Sequence, residues 1–262
     1  MRVCVLASGS TGNATIIESG NQAILIDNGL SYKKLEEAIK KAHFDEKKLT
    51  HILITHDHGD HIKGAGICAR KLNLTVCAPQ KTLDVMIKKG ILKGDKEQVY
   101  SLEKGVEDAV GCFDVTPFHI SHDAVDPVGY IVRDKEQVLV YLTDVGFVTE
   151  EMINRLKNAN TYIMETNHNV EMLQNSPRPW SLKQRILSDE GHLSNDDAAF
   201  VLSRLIGDRT KHVFLAHLSL EANMPDLVMM TVKHILKQQN VDMSAFSLHM
   251  TYPHQPSKVI EL

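Results

Sequence analysis

The residues best suited to chemistry form one short block, residues 56–61, which reads His-Asp-His-Gly-Asp-His. Three imidazoles and two carboxylates packed this closely are costly to bury unless a cation neutralises them. His56 and His58 fall on one side of an extended turn, while Asp60 and His61 enter the next helix on another side, and Gly59 is expected to allow the bend. The alternative is a solvated polar loop in which Asp60 caps the helix. The density of ligand-type side chains favours a site for two metal ions.

Two metal ions need more ligands than this block supplies, and the sequence offers them where later strands end. His122 follows the apolar stretch 115–120, Asp144 follows 138–143, and His217 follows 212–216. Loops held by rigid strands commonly carry functional side chains. A carboxylate such as Asp144 can bridge two cations. Each of the three residues alone could be an ordinary surface or capping residue, whereas together they complete a ligand set.

The elements that must position these residues can be read from apolar periodicity and from glycine-containing turns. The block at 56–61 follows a predicted strand, and a capping box at Ser194 and Asp197 predicts the start of a helix. The predicted strands are Val3–Ala7, Ala14–Glu18, Ala23–Asp27, His51–Thr55, Thr75–Ala78, Gln98–Leu102, Gly111–Pro117, Val128–Arg133, Val138–Thr143, Thr161–Met164 and His212–Ala216, with a strand pair near 245–261. The predicted helices cover 31–42, 61–72, 81–90, 148–157, 181–188, 195–206 and 226–238. Two packed sheets with helices outside satisfy this order, and we predict a single domain over residues 1–262.

Composition excludes several classes of protein. The hydrophobic share of 43% supports a sizeable core, and the net charge of −4 argues against a generally basic nucleic-acid-binding surface. Four cysteines without C-x-x-C spacing are typical of a reduced, cytoplasmic protein. No apolar run reaches the roughly 18 residues that a membrane helix needs, and none resembles a signal-peptide core.

The order of these motifs resembles the metallo-β-lactamase-fold hydrolases, and the resemblance covers essentially the whole chain. It implies an α+β fold, an αββα sandwich with a two-metal site. By the family pattern one metal would be held by His56, His58 and His122, the other by Asp60, His61 and His217, with Asp144 bridging. Asp60 would also act in catalysis, and Asp27 would orient the ligand loop through hydrogen bonds. The alternative for Asp27 is an ordinary turn residue.

Narrower motifs are similar to the YycJ/WalJ group, which is regarded as a group of bacterial DNA exonucleases. They are the segments 8–13 (SGSTGN), 121–124 (SHDA), 165–168 (ETNH) and 191–195 (GHLSN); Asn169 departs from the Asp expected after His168. Glu165 and His192 resemble a pair in ribonuclease Z-type enzymes, in which the glutamate orients a histidine near the leaving group. A histidine kept protonated by a carboxylate could supply the proton that a departing alkoxide needs. The alternative is that His192 only precedes a helix cap.

These motifs predict a dinuclear phosphodiesterase, a 5′-to-3′ DNA exonuclease that uses metal-activated hydroxide, with Zn²⁺, Mn²⁺ or Fe as the metal. The alternatives are an RNA nuclease or a small-molecule hydrolase (cyclic phosphodiesterase, lactonase or thiolesterase) on the same fold. The sequence leaves the oligomeric state open. The first predicted substrate contacts are Ser10 and Asn13, in a turn whose backbone N–H groups could hold phosphate, and His168 is a further one. The segment with Arg178, Trp180 and Arg185 is also predicted to contact substrate, because an aromatic side chain between cations could hold a DNA end. A buried tryptophan anchor at a helix start is the alternative for Trp180.

Overall fold

The computed structural model describes all residues from Met1 to Leu262. The chain forms two compact units: residues 1–119, 124–137 and 252–262 make up the first unit, and residues 120–123 and 138–251 make up the second. Each unit has its own sheet strands and helices, which are described separately below. That residues 1–262 act as a single domain stays a prediction.

The first unit is built on a seven-stranded sheet with the strand order β14-β1-β2-β3-β4-β5-β6. The strands β3, β4 and β5 run parallel, and β3 and β5 are buried after their first residue, which explains their apolar sequences. Three more strands, β7, β8 and β9, pair in antiparallel fashion. The strands are β1 (Arg2–Ala7), β2 (Ala14–Ser19), β3 (Gln22–Ile26), β4 (Leu49–Leu53), β5 (Thr75–Ala78), β6 (Gln98–Ser101), β7 (Asp108–Val110), β8 (Phe113–His119), β9 (Val128–Asp134) and β14 (Ile260–Glu261).

Four helices and one 3₁₀ turn complete the first unit. The first helix begins after Ser31, whose hydroxyl accepts a hydrogen bond from the backbone N–H of Lys34, and it buries Leu35 and Ile39 against the sheet core. The helices are α1 (Tyr32–Lys41), α2 (Gly59–Ile62), α3 (Ala65–Leu72) and α4 (Gln80–Lys88), and the 3₁₀ turn covers Glu46–Lys48.

The second unit contains four parallel strands, β10 to β13, paired in chain order. Strands β11 and β12 are buried along most of their length, as expected for a parallel sheet covered by helices. The strands are β10 (Gln137–Leu142), β11 (Thr161–Glu165), β12 (His212–Ala216) and β13 (Ser247–Met250). The helices are α5 (Glu150–Leu156), α6 (Val170–Asn175), α7 (Trp180–Ile186), α8 (Asn195–Leu205) and α9 (Pro225–Gln238). None of the helices combines the length and apolar character needed to cross a membrane.

Most predicted elements are confirmed, including the capping box: the Ser194 hydroxyl accepts from the backbone N–H of Asp197 at 3.1 Å. The continuous helix predicted over 61–72 is wrong, because the chain turns at Gly64 between α2 and α3. A side chain at Gly64 would lie 1.8 Å from the carbonyl oxygen of Leu30, so only glycine allows this close approach. The predicted C-terminal strand pair is also wrong, since β13 pairs with β12 and β14 pairs with β1. Strand β7 and helix α6 were not predicted.

Candidate active site

In the first unit, the histidine block continues from the buried end of β4 into α2. His58 immediately precedes α2, whereas Asp60 and His61 lie inside it. The ring centroids of His56 and His58 are 4.6 Å apart, and those of His56 and His61 are 4.1 Å apart. The idea that Asp60 caps the helix is therefore wrong. The structural role expected for Gly59 is wrong too, because this residue starts the helix without a positive φ and a side chain there would meet open space.

Asp27, directly after β3, is the residue that holds this block in place. It is fully buried, and its Oδ1 accepts the backbone N–H of Thr55 at 2.8 Å. Its Oδ2 accepts from the Thr55 hydroxyl at 2.8 Å and lies 2.8 Å from Nδ1 of His61. Such carboxylate–imidazole bonds fix the ring orientation of metal-ligating histidines. Sequence reasoning gave Thr55 no role, although it directly precedes the first histidine.

These hydrogen bonds also fix which ring nitrogen carries a lone pair. The Thr55 hydroxyl donates to Asp27, so it accepts from Nδ1 of His56 at 3.0 Å. His61 donates its Nδ1 hydrogen to Asp27, and the side-chain amide of Asn13 lies 3.0 Å from Nε2 of His61. In the neutral form of either ring, a hydrogen on Nδ1 leaves the lone pair on Nε2, the atom that would then bind a metal ion. The donor set of the first unit fits a divalent cation.

The glycine-containing turn after β1 supports the block rather than offering empty N–H groups. Asn13 is 1% exposed, its Oδ1 accepts the backbone N–H of Gly9, and its own N–H donates to the carbonyl oxygen of Asp60 at 2.9 Å. The N–H of Gly12 donates to Gly9 at 3.0 Å. The backbone N–H groups of Gly9, Gly12 and Asn13 are therefore already hydrogen-bonded, and the prediction that N–H groups of this turn hold phosphate is wrong for these three residues. Ser10 is exposed at the tip of the turn.

In the second unit, Glu165 at the end of β11 is the centre of a buried polar cluster. Its Oε1 lies 2.8 Å from Nδ1 of His192 and 2.9 Å from Nδ1 of His217. Its Oε2 accepts the backbone N–H groups of Val145 and Leu193. Burial alone would raise the pKa of Glu165, but the charges and hydrogen bonds of the two histidines lower it. Glu165 is therefore an ionised anchor for both imidazoles.

The same anchor determines the character of His192. Burial alone would lower the pKa of His192, but the charge of Glu165 and the hydrogen bond to it raise the pKa above its ordinary value. The side chain of His192 keeps 19% of its surface exposed, whereas Glu165 has none exposed. A cationic imidazole that reaches the surface can donate a proton to a bound molecule.

His122, Asp144 and His217 lie close together in this unit. Oδ1 of Asp144 is 3.9 Å from Nε2 of His122 and 3.5 Å from Nδ1 of His217. Nδ1 of His122 donates to the carbonyl oxygen of Gly191 at 3.1 Å, which leaves the lone pair on Nε2. One ligand-type atom each from Asp144, Glu165, His192 and His217 lie within 4.8 Å of one another. This set also fits a divalent cation, with Glu165 already committed to the two imidazoles.

Three of the candidate residues share a strained backbone. Asp27, Asp144 and His217 have φ angles of 60°, 57° and 56°, and each directly follows a strand or its last extended residues. The left-handed region is uncommon for residues with a side chain and often occurs at functional sites. The conformation turns each side chain away from the line of its strand. Sequence patterns do not show this feature.

The predicted substrate contacts of the second unit lie on and beside α7. Trp180, the first residue of this helix, is 61% exposed, so the alternative of a buried anchor is wrong. Arg178 contacts the loop after His217: its Nε pairs with Glu221 at 2.8 Å and its Nη2 lies 3.4 Å from the Ser219 hydroxyl. At the other end, Arg185 forms an ion pair with Asp123, which adjoins His122. Arg178, just before α7, and Arg185, within it, thus contact the loops that carry His217 and His122.

His168 lies deeper than the sequence suggested. It is 1% exposed, and neither ring nitrogen has a hydrogen-bond partner. Burial lowers its pKa to about 4, so the ring is neutral at physiological pH. Its carbonyl oxygen accepts the N–H of Asn195, which joins the 165–168 segment to the start of α8. A phosphate contact by His168 stays a prediction.

Comparison with known proteins identifies the family of this chain. The Beta-lactamase superfamily domain matches residues 22–217. This chain belongs to the β-lactamase superfamily. Within that superfamily it is 41% identical to Exodeoxyribonuclease YycJ of Bacillus anthracis over 257 residues, which cover 97% of both chains. It is 39% identical to Exodeoxyribonuclease WalJ of Streptococcus pneumoniae over 260 residues, 98% of this chain and 97% of that protein.

A solved structure supports the same assignment at the level of fold. The metallo-β-lactamase fold protein YhfI of Bacillus subtilis matches with a TM-score of 0.75 and 17% identity, covering 100% of this chain and 99% of that one. The predicted α+β metallo-β-lactamase fold and the resemblance to the YycJ/WalJ group are confirmed. This β-lactamase superfamily member is a metal-dependent hydrolase, and its His/Asp clusters are candidate sites for divalent metal ions.

Proposed function

We propose that this protein is a DNA exonuclease that uses two divalent metal ions and degrades linear DNA from the 5′ end. The observation that carries the proposal is the similarity to YycJ and WalJ, which extends over 97% of this chain or more. Such coverage includes most of both units. The reduced state of all four cysteines supports action in the cytoplasm.

The proposed ligand assignment follows the family pattern. His56, His58 and His122 hold one ion, Asp60, His61 and His217 hold the other, and Asp144 bridges them. The hydrogen bonds at Nδ1 of His56, His61 and His122, which leave Nε2 available to a metal ion, support this assignment. Bound Zn²⁺, Mn²⁺ or Fe would supply Lewis-acid activation of the phosphodiester and of the attacking water.

The leaving group is the task of the Glu165–His192 pair. Cleavage of DNA releases a sugar alkoxide, which departs poorly unless it is protonated. His192 donates this proton, and Glu165 keeps the imidazole charged and oriented through the bond of 2.8 Å. The thiolate released from a thioester has less need of such an acid, so the pair favours phosphodiester cleavage over thioester hydrolysis. Asp60 contributes to catalysis as a metal ligand.

Substrate binding is assigned to the rim around α7. A chain with a net charge of −4 cannot hold DNA through a diffuse basic surface, so a few local contacts must suffice. The exposed ring of Trp180 offers a stacking surface for a terminal base, and Arg178 and Arg185 offer phosphate contacts. Ser10 and His168 are further proposed contacts, and Asn13 supports the loop that carries Ser10.

A panel of substrates tests the proposed function. Purified protein loaded with Mn²⁺ or Zn²⁺ is incubated with 5′-phosphorylated duplex DNA, single-stranded DNA, RNA and bis-p-nitrophenyl phosphate. We expect DNA to be degraded faster than RNA when the rates are compared per strand end. All of these reactions should stop when a chelator is added. Preferential hydrolysis of RNA, or hydrolysis of a thioester or lactone without any nuclease activity, would overturn the proposal.

A further inference from the structure

A cavity of about 360 Å³ in the first unit lies outside the set of residues described above. Its apolar surface comes from Leu6 at the end of β1, from Leu30 just before α1 and from Ala38 on α1. Two prolines of the C-terminal segment complete the wall. The volume lies in the range of pockets that hold small organic ligands, roughly 300–1,000 Å³.

The lining of this cavity includes two lysines. Lys34 and Lys41 lie seven residues, or about two turns, apart on one face of α1, and His254 of the C-terminal segment also lines the cavity. Glu37 is the one acidic side chain in the lining. In a chain whose net charge is −4, the excess of Lys34 and Lys41 over this one acid favours an anionic ligand with an apolar part.

The cavity adjoins the support of the histidine block through direct contacts. A side chain at Gly12 would lie 2.8 Å from Leu30, so the turn after β1 packs against the cavity wall. On its other side, the same turn donates the N–H of Asn13 to Asp60. Asn13 also reaches Nε2 of His61. The turn at residues 9–13 therefore contacts both the cavity wall and the candidate ligands Asp60 and His61.

We propose that this cavity holds one nucleotide of the nucleic-acid strand that is being degraded. The base packs against Leu30 and Ala38, and the neighbouring phosphates contact Lys34 and Lys41. A nucleotide combines the required apolar face and negative charge. Because the turn at residues 9–13 contacts both the cavity wall and the metal ligands, the same nucleic-acid strand would also pass the metal ligands. The inference rests on the proposed function and gives it a second contact region, separate from the Trp180 rim.

Helix α1 provides a matched control. Lys33 and Lys40 are as exposed as Lys34 and Lys41 but do not line the cavity. The double variant Lys34→Gln/Lys41→Gln and the control Lys33→Gln/Lys40→Gln remove the same charge from the same helix. Binding of a short, cleavage-resistant phosphorothioate oligonucleotide to the metal-loaded protein is measured by fluorescence anisotropy at several salt concentrations.

We expect the cavity variant to bind at least tenfold more weakly and to lose about 1.4 from the salt slope, as for two phosphate contacts on a single strand. The control should change binding less than threefold, and both variants should hydrolyse bis-p-nitrophenyl phosphate at the wild-type rate. Equal effects of the two double variants would overturn the inference. The inference would also be overturned if free deoxynucleotide bound tightly in the cavity but did not affect oligonucleotide binding.

A neutral substitution tests the apolar part separately. Ala38→Phe fills the cavity without changing charge, and a thermal melt verifies that the variant is folded. We expect weaker oligonucleotide binding in the folded variant, and unchanged binding would overturn the placement of the base. If wild-type protein binds the oligonucleotide through the two lysines but cleaves no nucleic acid, the cavity assignment stands and the proposed function fails.

Discussion

Replacing His192 by alanine isolates its proposed role as the acid that protonates the leaving group. The ring touches Glu165 at 2.8 Å, and the pKa of His192 is raised because the charge and hydrogen bond of Glu165 outweigh the opposing effect of burial. General-acid catalysis of this kind contributes roughly 10²–10⁴-fold to a rate. The loss corresponds to about 3–5 kcal/mol of transition-state stabilisation at 1.36 kcal/mol per tenfold change.

The size of the rate loss depends on the leaving group of the substrate. With DNA, His192→Ala should lose the full factor of roughly 10²–10⁴, because the sugar alkoxide needs a proton. With bis-p-nitrophenyl phosphate the loss should stay within about tenfold, because p-nitrophenolate departs without protonation. Rates on both substrates and metal content are measured side by side. His234→Ala serves as the control, since this exposed imidazole is hydrogen-bonded to Gln238 on its own helix.

Two results would refute this reasoning. Equal losses on the two substrates would show that His192 binds substrate or shapes the site without giving a proton. A fall in bound metal would make His192 a ligand. Glu165→Gln provides a further comparison, because Glu165 also contacts His217, and this variant should lower metal affinity as well as rate.

Three further predictions concern the ligand framework and the thiols. Asp27→Asn should weaken metal binding about 10–100-fold by disturbing the ring of His61, measured by chelator competition, while unchanged affinity would contradict the orienting role. Asp144→Ala should abolish activity and lower bound metal with unchanged circular dichroism, and wild-type activity would exclude Asp144 as a ligand. A thiol reagent at pH 8 should label only Cys112 in the folded protein, because burial raises the pKa of Cys4 to about 11 and of Cys68 and Cys77 to about 12. Mass spectrometry counts the labels, and rapid labelling of any other cysteine would contradict the described core.

The part of the site that could be predicted from sequence is the part encoded locally. The density of ligand types at 56–61 and the positions of Asp144 and His217 after apolar runs point to strand ends, because such runs form buried strands. The proximity of Glu165 and His192, suggested by family resemblance, agrees with their distance of 2.8 Å. These signals require no knowledge of distant contacts.

Other features depend on contacts between distant segments and left no local signal. The left-handed backbone at Asp27 and His217, and the bond between Glu165 and His217, are set by how strands meet in the sheets. The turn at Gly64 follows from the close approach of Leu30, more than thirty residues earlier in the chain. The predicted pairing of the last two strands was wrong for the same reason, because partners far apart in sequence decide which sheet edge each strand joins.

The most direct test of the central proposal follows the direction of degradation. Duplex DNA labelled at either the 5′ or the 3′ end, and covalently closed circles of the same sequence, are incubated with Mn²⁺-loaded protein and sampled over time. We predict early release of short labelled products from the 5′-labelled strand, late loss of the 3′ label, and little action on circles. Cleavage of closed circles at the rate of linear DNA, or earlier release of the 3′ label, would contradict a 5′ exonuclease.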